Sequence, residues 1–211
     1  MKSIREPVRQ ARGDATRQSI LDAAEVVFAE QGYAAARLED VALAVGIRRP
    51  SIVYHFPGKQ ELYDAVEADI FASMHAYVVA HTAGVTDPMT RLLALLDAWL
   101  DFMVARPTAA RIIQRLIADV GPRAGNPIEF SETALRDIEA IVAAGVEAGH
   151  FRPVPAMMIL NGVAAGAIFY VCNARLLGEG RTYDPADPAE LARFRALIHT
   201  LARAAVTSGA G

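Results

Sequence analysis

The chain has 211 residues, 53% hydrophobic and 21% charged, with a formal net charge of −3. That length can bury a substantial core in one or two domains, and the aliphatic content excludes a disordered chain. The single cysteine, Cys172, excludes a disulfide framework or a cysteine-rich zinc module, and the opening MKSIREPVRQARGD lacks the apolar stretch expected of a secretory signal.

From Thr16 to Gln31, Ile20, Ala23, Ala24, Val27 and Phe28 recur at helical spacing and predict a first helix, with Gly32 behind it. A short second helix is expected over Leu38–Val45, with Leu38, Val41, Ala42 and Val45 facing inward and Gly46 closing it. A third covers about Arg48–His55, where Pro50 falls in the first turn and forfeits no helix bond. Phe56-Pro57-Gly58 breaks the chain, and a long helix then runs from Lys59 to about Ala83. Asp87 is placed to cap a helix over Pro88–Ala105, and Arg106-Pro107 separates it from another reaching about Ala118. Gly121–Pro127 is the strongest loop signal, followed by a helix from about Ile128 to Ala148 and a break at Gly149–Pro153. A segment from Val154 to Leu177 and a last helix over about Pro188–Thr207 complete the chain. No apolar–polar alternation is long enough for a strand, and there is no repeat of fixed period. The expected fold class is all-α, three short helices followed by a bundle of about six longer ones.

The acidic total hides an asymmetry. Residues 1–60 carry nine Lys/Arg against seven Asp/Glu, whereas the remainder carries twelve against seventeen. Lys2, Arg5, Arg9 and Arg12 make residues 1–13 a basic arm, expected to be flexible, within reach of a minor groove or idle. Two short helices joined through Val45-Gly46-Ile47 form a helix-turn-helix candidate. The second of these reads Arg-Arg-Pro-Ser-Ile-Val-Tyr-His and leaves Ile52 as the one clear core anchor. Packing alone does not account for so polar a helix. In a major groove, arginine bonds guanine O6 and N7, while Ser, Tyr and His reach phosphates or base edges.

Residues 17–62 resemble the DNA-binding domain of the tetracycline-repressor-like (TetR) family of bacterial transcriptional regulators. The matching text is Ile20-Leu21-x-Ala23-Ala24, Phe28-Ala29-x-x-Gly32-Tyr33, Val41-Ala42-x-x-Val45-Gly46-Ile47, and Pro50-Ser51-Ile52-x-Tyr54-His55-Phe56-Pro57-Gly58-Lys59-x-Glu61-Leu62. The resemblance implies a DNA-binding domain over 14–60 and a C-terminal ligand-binding and dimerisation domain over 61–211. It puts Arg49, Pro50, Ser51, Tyr54 and His55 at the DNA and Lys59 on a phosphate. Arg48 and Arg37 stand where the family usually has small hydroxyl residues, and Val53 where it usually has Tyr, so arginine charge is expected to replace hydroxyl contacts. The implied activity is that of a cytoplasmic homodimeric regulator, most often a repressor, bound to a palindromic double-stranded operator. A small-molecule effector would shift its fourth helix.

Rival chemistries find little support. The five histidines include no i, i+4 pair, and no Walker loop, G-x-S-x-G or paired-carboxylate motif is present, so neither an enzyme, a metal site nor a cofactor is expected. Pro153–Ala174 is a run of 22 residues without a charge and contains Gly162-x-x-x-Gly166, the pattern of a membrane span. Only seven of those 22 are Val, Ile, Leu or Phe, Asn161 lies mid-run, and no basic cluster flanks it. The run is therefore read as a buried or dimer-forming helix, not a membrane anchor. With the last helix it presents Met158, Gly162, Gly166, Phe169, Leu197 and Leu201 as the expected dimer face. The alternative is a membrane-associated or interaction protein without operator binding. For the effector, the adaptable apolar and aromatic residues Met74, His75, Trp99, Phe102, Met103, Phe130, Phe169 and Tyr170 are the candidates.

Overall fold

The structure is a computed structural model that describes residues 5–118, 129–175 and 178–207. Every regular element among the described residues is helical, in agreement with the all-α expectation. The chain divides into two compact units, residues 1–70 and 71–211.

In the first unit, α1 runs Arg5–Ala35, eleven residues earlier than the apolar stripe indicates. Pro7 stands in its first turn, where it breaks no helix bond, so nothing local stops the helix before Arg5. Residues 5–13 of the expected flexible arm are thus helical, and residues 1–4 lie outside the described residues. Ile20, Leu21, Ala24, Val27, Phe28 and Ala29 are buried. Gly32 breaks the last turn with φ 77° and ψ 164°, a backbone that only glycine adopts readily. α2 is Leu38–Val45 and α3 is Arg49–His55. Gly46, left-handed at φ 75°, turns one into the other, and Ile47 N–H returns to the Ala42 carbonyl at 3.0 Å. α4, Lys59–Thr82, starts in this unit, and its Leu62, Tyr63, Val66 and Ile70 are buried. Tyr63 packs edge-on against Phe28 at 4.9 Å and Tyr33 at 5.0 Å. The first compact unit thus includes the start of α4, through Ile70.

The second unit is built around α5, Pro88–Ala105, which is capped by Asp87 accepting from Thr90 N–H at 2.8 Å and Oγ1 at 2.7 Å. Leu92, Leu95, Leu96, Trp99, Leu100 and Met103 are buried along it. α6 (Pro107–Ala118), α7 (Glu129–Glu147), α8 (Ala156–Asn173) and α9 (Pro188–Val206) all pack on it. The loop expected over Gly121–Pro127 lies outside the described residues. Between α7 and α8 the Phe151 ring folds back onto Gly145, occupying the space that a β-carbon there would need. The charge-free run becomes α8, which is interrupted by a π-helical turn over Leu160–Ala164. By length and composition α8 could cross a membrane. It instead packs against α5, α6, α7 and α9, as a bundle helix.

A polar clamp ties α9 to α5. Arg195 donates to Asp97 at 2.8 Å and to Asp101 at 2.5 Å, and His199 Nε2 lies 2.8 Å from the same Asp97 oxygen. All four side chains are roughly two-thirds shielded from solvent, so the clamp is worth more than an exposed ion pair. Asp97→Ala should lower the unfolding free energy by about 1–3 kcal/mol, measured by denaturant titration. A loss below about 0.5 kcal/mol, the level of an exposed pair, would show that the clamp contributes nothing.

Candidate nucleic-acid interface and ligand cavity

The surface of the first unit follows from how little holds α3. Of its seven residues only Ile52 is buried, while Arg49, Pro50, Ser51, Val53 and Tyr54 are exposed and His55 is half-buried. Tyr54 is 81% exposed, which excludes a role in covering the core edge. Its ring meets His55 edge-on at 5.1 Å, so the two aromatics form one outward feature at the C-terminal end of α3.

The two arginines that replace hydroxyl caps behave differently from caps. Arg48 stands before α3 in extended conformation (φ −92°, ψ 147°) without a side-chain cap bond, and its carbonyl accepts from Ser51 N–H at 2.9 Å. Its guanidinium is therefore not used to end the helix. At α2, the Arg37 N–H donates to Asp40 Oδ2 at 3.1 Å, so the carboxylate of the third helical position compensates for the missing hydroxyl. Arg49 reaches back to α2, where its Nε lies 3.0 Å from Glu39 Oε1 with both side chains 60% exposed. An ion pair so exposed adds little stability. The contact engages Nε and leaves the two terminal nitrogens of Arg49 as further donors.

Lys59 has a role that sequence reasoning missed. Its Nζ donates to the carbonyls of Tyr33 at 2.7 Å, Ala36 at 3.1 Å and Ala34 at 3.3 Å, and lies 4.5 Å from the centre of the Tyr33 ring. Three donors meet three carbonyls at the end of α1, where an unpaired C-terminus carries partial negative charge. The ammonium of this half-buried side chain is thereby satisfied by the chain's own carbonyls. The break at Gly32, which turns those carbonyls toward α4, was the available sequence signal.

In the second unit the expected ligand residues take several different positions. Trp99 and Met103 line a cavity of about 240 Å³ between α5, α6 and α8, together with Ile113, Leu116, Ile117, Met157, Leu160, Asn161, Ala164, Ala165, Ala167 and Ile168. Met74 and Phe102 are buried outside that lining, and Phe102 instead packs against Tyr77 at 6.0 Å. His75 is exposed, with Nδ1 3.7 Å from Asp137. The Phe130 side chain lies outside the described residues. Tyr170 is stacked between Phe194 at 4.2 Å and Tyr183 at 5.0 Å, and burial pushes its phenol up to about 12. The Cys172 thiol is likewise pushed up by burial, opposite to what a nucleophile needs.

Of the expected dimer residues, Gly166, Phe169 and Leu197 border one groove. Met158, Phe169, Leu197 and Leu201 are 66%, 62%, 51% and 44% exposed, values unusual for large apolar side chains grouped on two adjacent helices. Gly162 is also exposed with no atom within 4 Å of an added β-carbon, and at Gly166 such a carbon would meet Phe194 at 3.6 Å. Phe169 and Leu197 border a groove of about 470 Å³ that also includes Asn173, whose buried amide nitrogen makes no hydrogen bond.

Comparison with known proteins places both units. Residues 20–66 match the family model described as bacterial regulatory proteins, tetR family, and residues 88–201 match the tetracyclin repressor-like C-terminal domain. The HTH-type transcriptional repressor NicS of Pseudomonas putida is 26% identical over 208 residues, covering 96% of this chain and 97% of that protein. A TetR family transcription regulator from Marinobacter aquaeolei superposes with a TM-score of 0.76 at 18% identity, over 94% of this chain and 99% of that one. A transcriptional regulator from Saccharomonospora viridis in complex with choline gives 0.73 at 17% identity, over 92% and 99%. The likeness to these two structures bears on fold. With the two family models spanning the reading unit and most of the bundle, the chain belongs to the tetR family of bacterial transcriptional regulators, and it is not an enzyme.

Proposed function

We propose that the protein is a ligand-responsive repressor that binds a palindromic operator as a homodimer in the bacterial cytoplasm. The observation that carries this reading is α3, which presents Arg49, Ser51, Tyr54 and His55 outward on a helix held by one buried residue. Arg49 is the base reader, since its free fork matches guanine O6 and N7. Arg37, Arg48, Pro50 and Ser51 position the helix on the backbone, and Tyr54 and His55 complete the contact surface at its far end. Each subunit supplies one α3, and a two-fold site places successive half-sites about 34 Å, or a multiple of it, apart. The apolar surface of α8 and α9 supports dimerisation, because a monomer rarely exposes that much grouped apolar area. Capture of bound genomic fragments from cells tests the proposal, the expected outcome being a few sites with inverted symmetry.

Three substitutions separate the parts. Arg49→Ala should weaken the captured operator by about 1–3 kcal/mol and relax the base preference at one position of each half-site, read by anisotropy titration. Unchanged affinity would remove Arg49 from the interface. Lys59→Ala should lower the stability of the first unit by about 2 kcal/mol, since charge-assisted hydrogen bonds are lost. It should also leave the salt dependence of duplex binding unaltered. A slope shallower by about one would return Lys59 to a phosphate. Gly162→Glu, which fits the single chain without a clash, would set two like charges near each other across the two-fold axis. Sedimentation should show the dimer weakened about 100-fold, and a dimer of normal strength would place the interface elsewhere.

A further inference from the structure

The cavity between α5, α6 and α8 has a chemistry narrow enough to limit what enters it. None of its twelve described lining side chains is ionisable, Trp99 is the one aromatic among them, and Asn161 is the one polar side chain apart from the indole N–H. Ile117, Met157, Asn161 and Ala165 form an exposed rim, but a charge seated without a partner at the buried end, against Trp99, Met103, Ile113 and Leu116, would cost several kcal/mol. A single aromatic without a carboxylate does not form the cage that a quaternary ammonium requires. Anions and cations are therefore both disfavoured. The volume of about 240 Å³ lies below the range of drug-sized pockets, which limits the occupant to a small molecule. Ala164, Ala165 and Ala167 leave the space open by withholding side-chain bulk.

The same cavity abuts an irregular piece of backbone. Leu160, Asn161 and Ala164 line it and all belong to the π turn Leu160–Ala164, where the Ala165 N–H bonds the Leu160 carbonyl five residues back. Gly162, in the middle of that turn, is exposed with Met158 before it and Phe169 after it. A π turn holds one residue more than an α turn, so converting one to the other rotates everything beyond it by about 100° about the helix axis. Met158 and Phe169 lie on opposite sides of this joint, and their alignment depends on its state. No lining residue comes from α4.

We propose that this cavity binds a small, uncharged, mainly apolar molecule with one hydrogen-bonding group for Asn161, and that the occupant acts through the π turn of α8 on the dimer face. The dimer part rests on the function proposed above. The occupant pushes on Leu160 and Ala164, biases the turn between its two registers and changes how Phe169 and Gly166 align with Met158.

The chain has one tryptophan, Trp99, and it lines the cavity, so its fluorescence reports occupancy directly. The probes are N-phenylnaphthylamine, which is neutral with a single N–H, and anilinonaphthalene sulfonate, the same ring system carrying a charge. With the full-length protein, the neutral probe should give saturable energy transfer from Trp99 at one site per chain. The sulfonate should bind at least about tenfold more weakly, a modest threshold against the cost of an unpaired charge. Ala164→Phe should abolish the transfer by filling the space. Saturating neutral probe should shift the dimer dissociation constant by at least about threefold in wild type, a small fraction of common coupling energies, and leave that of Ala164→Phe unchanged. Equal binding of the two probes to wild type overturns the chemical class whether or not Ala164→Phe folds. Undiminished transfer in that variant overturns the site. Full occupancy with an unmoved dimer constant overturns the coupling. Duplex binding by the unliganded protein is measured alongside. Its absence would defeat the repressor reading while leaving the cavity result to stand by itself.

Discussion

The first unit depends on keeping a seven-residue helix in place when that helix cannot hold itself. α3 has one buried side chain, Ile52, and a helix so short is unstable alone. Its position is set from outside, by the Gly46 turn from α2, by Phe56 buried directly behind it, and by the packing of α1 against α4. Lys59 is the polar centre of that packing, since one ammonium gathers three carbonyls from the end of α1 to the start of α4. The guanidinium of Arg17 over the Phe56 ring, 4.9 Å from its centre, closes the same frame from the other side. A rigid frame beneath a polar, weakly anchored helix is a sound arrangement for reading DNA. The exposed groups are oriented before binding, and less ordering entropy is lost on contact.

The second unit turns on α8, which packs in the bundle on one face and, in the proposed dimer, has a second duty on the other. One face buries Ile159, Val163, Ala164 and Ala167 in the bundle, and the other leaves Met158, Gly162 and Phe169 in solvent. A charge on either face would spoil one duty, which explains the 22-residue run without one. The same dual demand makes the run look like a membrane span in composition. Small residues resolve the ambiguity, because Gly and Ala permit close helix approach while contributing too little apolar area to favour lipid. The Asp97–Arg195–His199 clamp then fixes α9 on α5, and Leu197 stands beside Gly166 and Phe169 of α8.

Local rules read several elements to the residue. α2 and α5 have their expected bounds because each carries a strong boundary signal, Gly46 behind α2 and Asp87-Pro88 before α5. α3 differs only at Arg48, which stands outside the helix as its N-cap. The start of α1 was not legible, because an apolar stripe marks where a helix is buried and not where it begins. The candidate interface was legible as a group of residues, since outward polarity on a short helix is a local property. The task of Lys59 was not, because its acceptors are 23 to 26 residues away. Nor was the cavity: large flexible residues fill cores and line pockets alike, and Ala164 and Ala165 reveal a space only once their neighbours are placed.

The family, the helical order, the outward polarity of α3 and the separation of a basic end from an acidic body can all be read along the chain. All of these rest on spacing and residue type within a few turns of chain. Tertiary structure decided which groups share a site. It set Lys59 on the carbonyls at the end of α1, placed Glu39 against Arg49 and opened a space beneath a π turn that no propensity foretells. The physical reason is range. Periodicity and capping act over roughly one to three helical turns, whereas a cavity and a buried ammonium are defined by atoms that meet only after distant helices have packed.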